Sequence, residues 1–174
     1  MSSLHIRIYG DPILKVKALP ADKIGPQEKK VLEDMARTMY AAEGVGLAAT
    51  QVGVNKQLIV VDVGNGLLKL ANPKLIKAWC NRLGEEGCLS FPGIRLKIKR
   101  PEKVVLEALN QDGQKIKIEA EGLLARVLHH EVDHLMGIVI IDRVGIRQRL
   151  LVAGKLWKLK MSNKNKKLGG KKYG

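Results

Sequence analysis

Few aromatic residues, two cysteines and no long apolar run characterise this chain of 174 residues. Aromatic side chains make up 3% of it, so its core must consist mainly of Leu, Ile, Val and Ala. Cys80 and Cys88 are too few for a disulfide framework at this size, which favours a reducing compartment and hence the cytoplasm. No apolar run approaches the ~20 residues of a membrane span, and the N-terminus lacks a signal or transit pattern, so we expect no membrane association.

Acidic residues are absent after Asp142, and this absence sets the end of the chain apart from the rest. The chain has 31 Lys and Arg against 17 Asp and Glu, a net charge of +14, and ten of its positive residues lie in residues 146–174. Such a segment favours a polyanionic partner such as RNA, whose phosphates it can neutralise. Because aromatic residues are scarce there, stacking on bases is not expected, and a segment that only aids solubility is the alternative.

The apolar periodicity predicts an α+β fold, with a mostly antiparallel or mixed sheet around a central helix. A helical pattern covers residues 26–43, and six strand-like segments lie between residues 57 and 120. Turns are predicted between these strands, among them one at residues 72–73 and a hairpin turn at residues 110–113. Residues 123–136 return to a helical period, and strands grouped between helices are typical of the α+β class.

One domain accounts for most of the chain, because a length of 174 residues suits a single core. We predict that this domain covers residues 1–160, ends in a helix over 146–160, and is followed by a basic tail at 161–174. The tail has no core-forming pattern and is predicted to be disordered. The predicted C-terminal helix has four apolar residues on one face: Ile146, Leu150, Ala153 and Trp157.

The sequence His-Glu-Val-Asp-His at residues 130–134 carries the clearest chemical signal. On a helix, His130 and His134 share one face, so both imidazoles can reach one metal ion. Glu131 then lies beside the metal, placed to accept a proton from a water molecule. Catalytic sites of this kind usually have three protein ligands. Because no His follows His134 and no Glu follows Glu131, we expect the third ligand upstream.

Four upstream residues are candidates for the third ligand: His5, Cys80, Cys88 and His129. His129 adjoins His130 and points about 100° away from it on a helix. His5 is expected at the surface, and Cys80 ends an apolar strand-like segment, where a buried structural thiol is expected. Cys88 lies in a glycine-flanked segment, and its thiolate is a competent ligand for Zn or Fe. Spacing alone leaves Cys88 an open candidate.

Three segments of the chain resemble peptide deformylases, and the resemblance extends over about residues 4–145. Residues 44–51, Gly-Val-Gly-Leu-Ala-Ala-Thr-Gln, match the family's GxGxAAxQ pattern. Residues 86–90, Glu-Gly-Cys-Leu-Ser, match its EGCLS pattern, and residues 130–134 match its HExDH pattern. Each motif alone is weak evidence, but all three in this order and spacing are specific.

The resemblance implies a metal-dependent hydrolase that removes the N-formyl group from the formyl-methionine of newly synthesised proteins and releases formate. The metal ligands that it implies are Cys88, His130 and His134. Glu131 is expected to take a proton from water and pass it to the leaving amine. The Gln51 side chain and the Leu89 backbone N–H are expected to stabilise the oxyanion that forms on the formyl group.

Expectations for the substrate, the metal and the partner follow from the same resemblance. Gly46 is expected to form hydrogen bonds with the substrate backbone. Candidates for the methionine pocket are Val45, Leu123 and Val127. Of these, Leu123 and Val127 precede His130 on nearly the same helix face. Sulfur and nitrogen ligands accept several divalent metals; Fe(II) is typical of the family, and Zn or Ni can replace it. Ribosomal RNA is a candidate partner of the basic segment, because the substrate is a nascent chain.

Three more side chains near the motif carry structural expectations. Arg126 lies one turn before His130 and is expected to rim the pocket or to pair with Glu86. Asp133 is expected to anchor the helix through Arg100 rather than to touch substrate. His129 stands where a Gln is common in the family, which should leave activity intact.

Two other functions remain open on the sequence alone. A general metallopeptidase would share the His-Glu-X-X-His motif, but it usually takes its third ligand from downstream, where this chain has no candidate His or Glu. A catalytically silent RNA-binding protein would account for the basic segment, but not for the intact set of metal-binding residues. Formate release from a formylated peptide separates these functions.

Overall fold

A five-stranded antiparallel sheet lies at the centre of the fold in a computed structural model, which describes residues 4–169 and the side chains of residues 4–163. The strands adjoin one another in the order in which they occur in the sequence. Their bounds are Gly46–Ala48 for β1, Leu58–Val61 for β2, Leu68–Glu86 for β3, Leu96–Leu109 for β4 and Lys115–Glu121 for β5. The predicted α+β class is confirmed.

Within residues 4–169, three α-helices accompany the sheet. They are α1, Pro26–Ala41; α2, Gly122–Leu135; and α3, Ile146–Gly169. Pro26 opens α1, where its fixed φ suits the first turn, and Glu28 accepts a hydrogen bond from the Gly25 N–H at 3.0 Å. Gly122 has a φ of +60°, which lets the chain turn directly from β5 into α2. The helices predicted over residues 26–43 and 123–136 are confirmed, with small differences at their ends.

Strand β2 is buried on both faces and marks the centre of the core. Ile59 and Val61 pack on the side of α2, and Leu58 and Val60 pack on the side of α1. Because successive side chains of a strand point to opposite faces, a strand covered on both sides needs a continuous apolar run. The buried helix side chains around it are Leu32, Met35 and Met39 from α1 and Ala125, Leu128 and Leu135 from α2.

Strand β3 runs without a break through residues 72–73, so the turn predicted there is wrong. Asn72 has a φ of +50°, and the register against β4 shifts between Ala71 and Lys74, which makes this position a bulge. The Asn72 side chain accepts a hydrogen bond from the Ala21 N–H and donates one to the Ala21 carbonyl, both at 2.8 Å. Local turn preference cannot anticipate this distant partner, which holds the bulge inside a continuous strand.

Helix α3 continues to Gly169, beyond the helix end predicted at residue 160 and into the segment predicted to be a tail. Lys, Leu and Met are good helix formers and no Pro interrupts the segment, so the helix continues without an apolar pattern. Residues 170–174 of the predicted tail lie outside the described residues.

Helix α3 packs by a different face from the apolar one seen in the sequence. Its packed residues are Val152, Leu156 and Leu159. Ile146, Leu150 and Trp157 do share a face, but this face is turned to solvent, and their side chains are 68%, 67% and 64% exposed. Among the described residues, the structure contains no helix with the length and apolar character needed to cross a membrane.

Candidate metal centre and substrate cavity

Helix α2 carries the two motif histidines into the interior. His130 and His134 lie one turn apart, with their Nε2 atoms 3.2 Å from each other and their ring centroids 4.9 Å apart. Both side chains are buried, because α2 packs along the sheet. Two imidazole nitrogens that converge in this way can bind one cation.

Cys88 completes this group from the segment that follows β3. Its Sγ lies 3.2 Å from His134 Nε2, and the ligand atoms of Cys88, His130 and His134 all lie within 4.8 Å of one another. Among the residues that the structure describes, no other group of three His, Cys, Asp or Glu side chains is arranged to hold a metal. Of the four upstream candidates, the structure brings only Cys88 to the two histidines.

The other three candidates lie elsewhere. His5 is exposed, as expected. His129 Nδ1 lies 2.7 Å from Arg100 Nη1, so its ring faces the ion pairs behind the site, in agreement with its helical position. Cys80 is exposed and has a φ of +57°, so the prediction of a buried structural thiol is wrong. The reason is that residues 76–83 of β3 are exposed throughout.

Glu86, the last residue of β3, orients His130. For Nε2 of His130 to act as a ligand, Nδ1 must carry the proton, and Nδ1 then donates to Glu86 Oε2 at 3.1 Å. Arg100 holds the Glu86 carboxylate through two hydrogen bonds, from Nε to Oε1 at 2.9 Å and from Nη2 to Oε2 at 3.0 Å. Burial acts to raise the pKa of Glu86, but the hydrogen bonds from His130 and Arg100 lower it to about 2.

A cluster of buried ion pairs ties β3, β4 and α2 together behind the histidines. Arg100 is 1% exposed and contacts Asp133 as well as Glu86, and Arg143 Nε donates to Asp133 Oδ2 at 2.9 Å. Arg126 Nη1 donates to Glu86 Oε1 at 2.7 Å. The expected partners of Asp133 and Arg126 are therefore confirmed. Although burial acts to lower the pKa of Arg100, the two carboxylates raise it, so the guanidinium remains charged.

The two histidines have opposite pKa shifts. Burial lowers the pKa of His134 well below its ordinary value, and the neighbouring charge of His130 lowers it further. Burial also acts to lower the pKa of His130, but hydrogen bonds with Cys88 and Glu86 raise it to about 10. Because a metal needs both rings neutral at Nε2, metal binding at this group displaces a proton.

Glu131 lies against Gly46 of β1, and the contact requires glycine. A Cβ at position 46 would collide with the Glu131 carboxylate and would lie 2.8 Å from Val127 Cγ1. Glu131 Oε2 is buried and has no hydrogen-bond partner among the described residues. Burial raises the pKa of Glu131 to about 7. A carboxyl group that titrates near neutrality is suited to accept a proton and to return it.

Gln51 and Leu89 provide hydrogen-bond donors beside Cys88. Gln51 is 1% exposed; its Oε1 accepts from the Ala48 N–H at 2.8 Å, which directs the amide nitrogen toward Ser90 Oγ at 3.2 Å and Cys88 Sγ at 3.5 Å. Within the part of the chain that the structure describes, the Leu89 N–H has no acceptor. Both residues therefore offer an N–H donor close to Cys88.

A cavity of about 730 Å³ leads from these residues to solvent. The structure places every predicted substrate-binding residue on its walls: Val45, Gly46, Leu123 and Val127. The same cavity is lined by Gln51, Cys88, Leu89, His130 and Glu131. Its size lies within the roughly 300–1,000 Å³ that is usual for small-molecule sites. The cavity therefore has room for more than the formyl group and one side chain.

Sequence reasoning missed several residues of this site. The partnership between Glu86 and His130 had a signal, because metal-binding histidines usually donate their second N–H to a carboxylate, and Glu86 lies two residues before Cys88. The outer wall also includes Glu43, Arg95 and Lys155, for which the sequence offers no local motif. Lys155 lies on α3, so only the packing of that helix brings it to the cavity.

The residues present fit a divalent metal ion. A thiolate and two neutral imidazoles are typical ligands of Zn and Fe. The carboxylate on the far nitrogen of His130 is the usual support for such a ligand. The cavity also gives water and substrate access to one side of the group, as a catalytic metal site requires.

Comparisons with known proteins agree with these features. The sequence model of the polypeptide deformylase family matches residues 3–149. The peptide deformylase of Acetivibrio thermocellus is 50% identical over 144 residues, 83% of this chain and 85% of that protein. The crystal structure of peptide deformylase from Thermotoga maritima has a TM-score of 0.81 and 42% identity, covering 83% of this chain and 99% of that one. A plant peptide deformylase structure has a TM-score of 0.90 and 34% identity, covering 95% and 94%.

Proposed function

Since the chain belongs to the peptide deformylase family, metal-dependent hydrolases that remove the formyl group from nascent peptides, we propose that it performs this reaction at Cys88, His130 and His134. The observation that carries the assignment is the convergence of these three ligand atoms beside a cavity that also holds Glu131. In the reaction, water adds to the formyl carbon and the C–N bond breaks. Formate and the free amine of methionine leave as products.

The metal ligands in this proposal are Cys88, His130 and His134. A divalent cation bound there supplies Lewis-acid chemistry, because it lowers the pKa of water toward neutrality and polarises the formyl oxygen. We propose Fe(II) as the working metal, in line with the resemblance described above, with Zn or Ni as replacements. A thiolate beside Fe(II) is sensitive to oxidation, so the protein should be purified without oxygen.

Glu131 is the proposed general base and acid. Its buried, unpartnered Oε2 is free to accept the proton of the attacking water, and a pKa of about 7 lets the same group pass that proton to the amine as the C–N bond breaks. Gly46 supports this role, because the absence of a side chain there leaves the space that the carboxylate fills.

Gln51 Nε2 and the Leu89 N–H are the proposed oxyanion donors. Both lie next to Cys88, and the bond from Ala48 to Gln51 Oε1 keeps the amide nitrogen turned toward the reacting carbon. Donors fixed in this way need no reorganisation when the formyl oxygen gains negative charge, and each is worth roughly 3–4 kcal/mol.

The substrate peptide is proposed to lie along β1. This strand is at the edge of the sheet, with β2 on one side, so its other side can pair with an extended peptide. Gly46 then contacts the substrate backbone, while Val45, Leu123 and Val127 supply apolar wall for the methionine side chain. This arrangement is supported by the presence of all four residues on one cavity.

Formate release tests the proposed function. Protein purified without oxygen, with its metal content measured, should release formate from formyl-Met-Ala-Ser and leave unformylated Met-Ala-Ser intact. Cleavage of internal peptide bonds without formate would instead indicate a general metallopeptidase. Metal-free protein that binds RNA and hydrolyses neither peptide would indicate a silent RNA-binding protein.

The basic C-terminal segment supports a further part of the proposal, that the enzyme binds ribosomal RNA in the cytoplasm while residues 1–160 form the catalytic domain. Residues 146–174 contain ten Lys and Arg and no acidic residue. Because Val152, Leu156 and Leu159 pack on the core, truncation after residue 161 removes five Lys without removing that packing. Cosedimentation with ribosomes should weaken after this truncation and at higher salt; pelleting unaffected by both would contradict RNA binding.

A further inference from the structure

We propose that Lys155 of α3 is a specificity residue of the substrate cavity, which favours substrates with an acidic side chain at one of the two positions after the methionine. This inference rests on the proposed deformylase function and deepens it. Its basis is that a residue of the basic C-terminal helix forms part of the same cavity as Gln51 and Glu131.

The packing of α3 directs Lys155 toward the cavity. On a helix, residue 155 lies on the same side as residues 152 and 159, which are three and four positions away from it. Val152, Leu156 and Leu159 pack against the core cluster that contains Phe91 and Ile94. These two core residues flank Gly93, so Lys155 lies over the loop that forms one rim of the cavity.

A hydrogen bond to that loop holds the ammonium group in place. Lys155 Nζ donates to the Gly93 carbonyl at 3.1 Å. An ammonium has three N–H donors, so two remain for a substrate carboxylate. Because the side chain is already anchored, a new ion pair costs less side-chain entropy than one formed by a free lysine.

Lys155 is the cation at this rim that lacks an acidic partner among the described residues. Arg95 also lines the cavity, but its guanidinium pairs with Glu85 at 3.1 Å. Arg126 is bonded to Glu86 at 2.7 Å. Each of these arginines therefore has an acidic partner within the protein, whereas Lys155 lines the cavity without one among the described residues.

The alternation of side chains along an extended peptide confines the preference to one position. Glu43 lines the cavity next to β1 and is exposed. Successive side chains of an extended peptide point to opposite sides. Of the two residues after methionine, only one can therefore direct its side chain to the Lys155 rim, and an acidic side chain near Glu43 is disfavoured.

Paired amidated peptides test the proposal. The values of kcat/KM are compared for formyl-Met-Glu-Ser against formyl-Met-Lys-Ser, and for formyl-Met-Ala-Glu against formyl-Met-Ala-Lys, so that no terminal carboxylate interferes. For the wild-type protein, the acidic peptide of one pair should be favoured about two- to five-fold at low salt, the size expected of an exposed ion pair. The preference should fall at high salt. Ratios near one in both pairs would overturn the proposal.

Variants separate a local contact from the overall charge of the protein. Lys155→Gln keeps a donor for the Gly93 carbonyl, and it should bring the ratio of kcat/KM between the acidic and the basic peptide of the favoured pair close to one. Lys155→Glu should invert this ratio. Lys158→Glu makes the same charge change on α3 outside the cavity lining and should keep the wild-type ratio. Equal effects of the two Glu variants would contradict the local contact. Turnover of formyl-Met-Ala-Ser amide by the wild type reports on the proposed function separately, because its loss would not depend on Lys155.

Discussion

His130 Nδ1 is hydrogen-bonded to Glu86 Oε2 at 3.1 Å, so the last residue of β3 orients a ligand that lies on α2. Arg100 of β4 fixes Glu86 in turn and also contacts Asp133, one turn below the histidine. The direction of one imidazole thus depends on three elements that are far apart in the sequence. A change in this cluster should alter metal binding without touching a ligand.

Replacement of Glu86 by Gln should lower metal affinity by roughly 10- to 100-fold. The amide still fills the space, but it loses the charge that holds the proton on His130 Nδ1 and leaves Arg100 with one carboxylate partner fewer. Competition with a chelator of known affinity measures the change. Glu85→Gln is the matched control, because Glu85 is exposed and pairs with Arg95 instead. Equal metal affinity of the two variants would contradict the role of Glu86 in orienting His130.

Glu131→Ala and Cys88→Ala should separate catalysis from metal binding. The first removes the proposed base but no ligand, so the protein should keep its metal and lose turnover. The second removes a ligand and should lose both. Metal content and formate release are measured on the same preparation. A Cys88→Ala protein with wild-type turnover would exclude Cys88 as a ligand.

The parts of the candidate site that short sequence motifs identify could be predicted. Helical spacing placed His130 and His134 on one face, and the absence of a downstream ligand placed the third ligand upstream, where the family resemblance selected Cys88. The site of Cys88 beside the histidines, however, depends on pairing between β3 and β4, which the sequence predicted only as separate short strands. The Asn72 bulge shows the reason, because its partners at Ala21 are distant in sequence.

The C-terminal helix shows a second limit of prediction from the sequence, which concerns the apolar periodicity of helices. The apolar residues Ile146, Leu150 and Trp157 recur at helical spacing on one face, yet this face is exposed. The packed face combines Val152 and Leu156 with charged neighbours, so it is less apolar than the exposed one. Periodicity can identify a helix face, but it cannot say which face meets the core when the rest of the fold is not yet known.

Gly46→Ala should lower kcat by roughly 10- to 100-fold while metal content stays normal. The new Cβ would displace the Glu131 carboxylate, and a small misplacement of a catalytic group is costly. Gly145→Ala is a suitable control, because a Cβ there meets nothing within 4 Å. Steady-state kinetics of formate release, together with metal analysis, compare the two proteins. A Gly46→Ala enzyme with normal kcat would mean that the carboxylate can move without loss.

Acid should weaken the fold through Glu86. Its folded-state pKa of about 2 lies below the ordinary 4.5, so its ionised form stabilises the protein fully above pH ~4.5, and this stabilisation is lost as the pH falls toward 2. The shift corresponds to about 3 kcal/mol in the free energy of unfolding. Urea unfolding with a chelator present measures the free energy of unfolding of the wild type and of Glu86→Gln. The difference between the two values should become smaller as the pH is lowered from 5 to 3. A constant difference would assign the acid sensitivity to other groups.

The two edges of the sheet are protected from aggregation by different means. An open edge can pair with strands of other chains and so template their assembly. Along the β5 edge, every second residue is an exposed charged side chain: Lys115, Lys117, Glu119 and Glu121. The β1 edge has no such charges, but the strand is only three residues long. The β1 edge can therefore pair with a few residues of an unfolded chain, but it is too short to template the assembly of further strands. An enzyme that binds newly synthesised polypeptides is thereby protected from nucleating their aggregation.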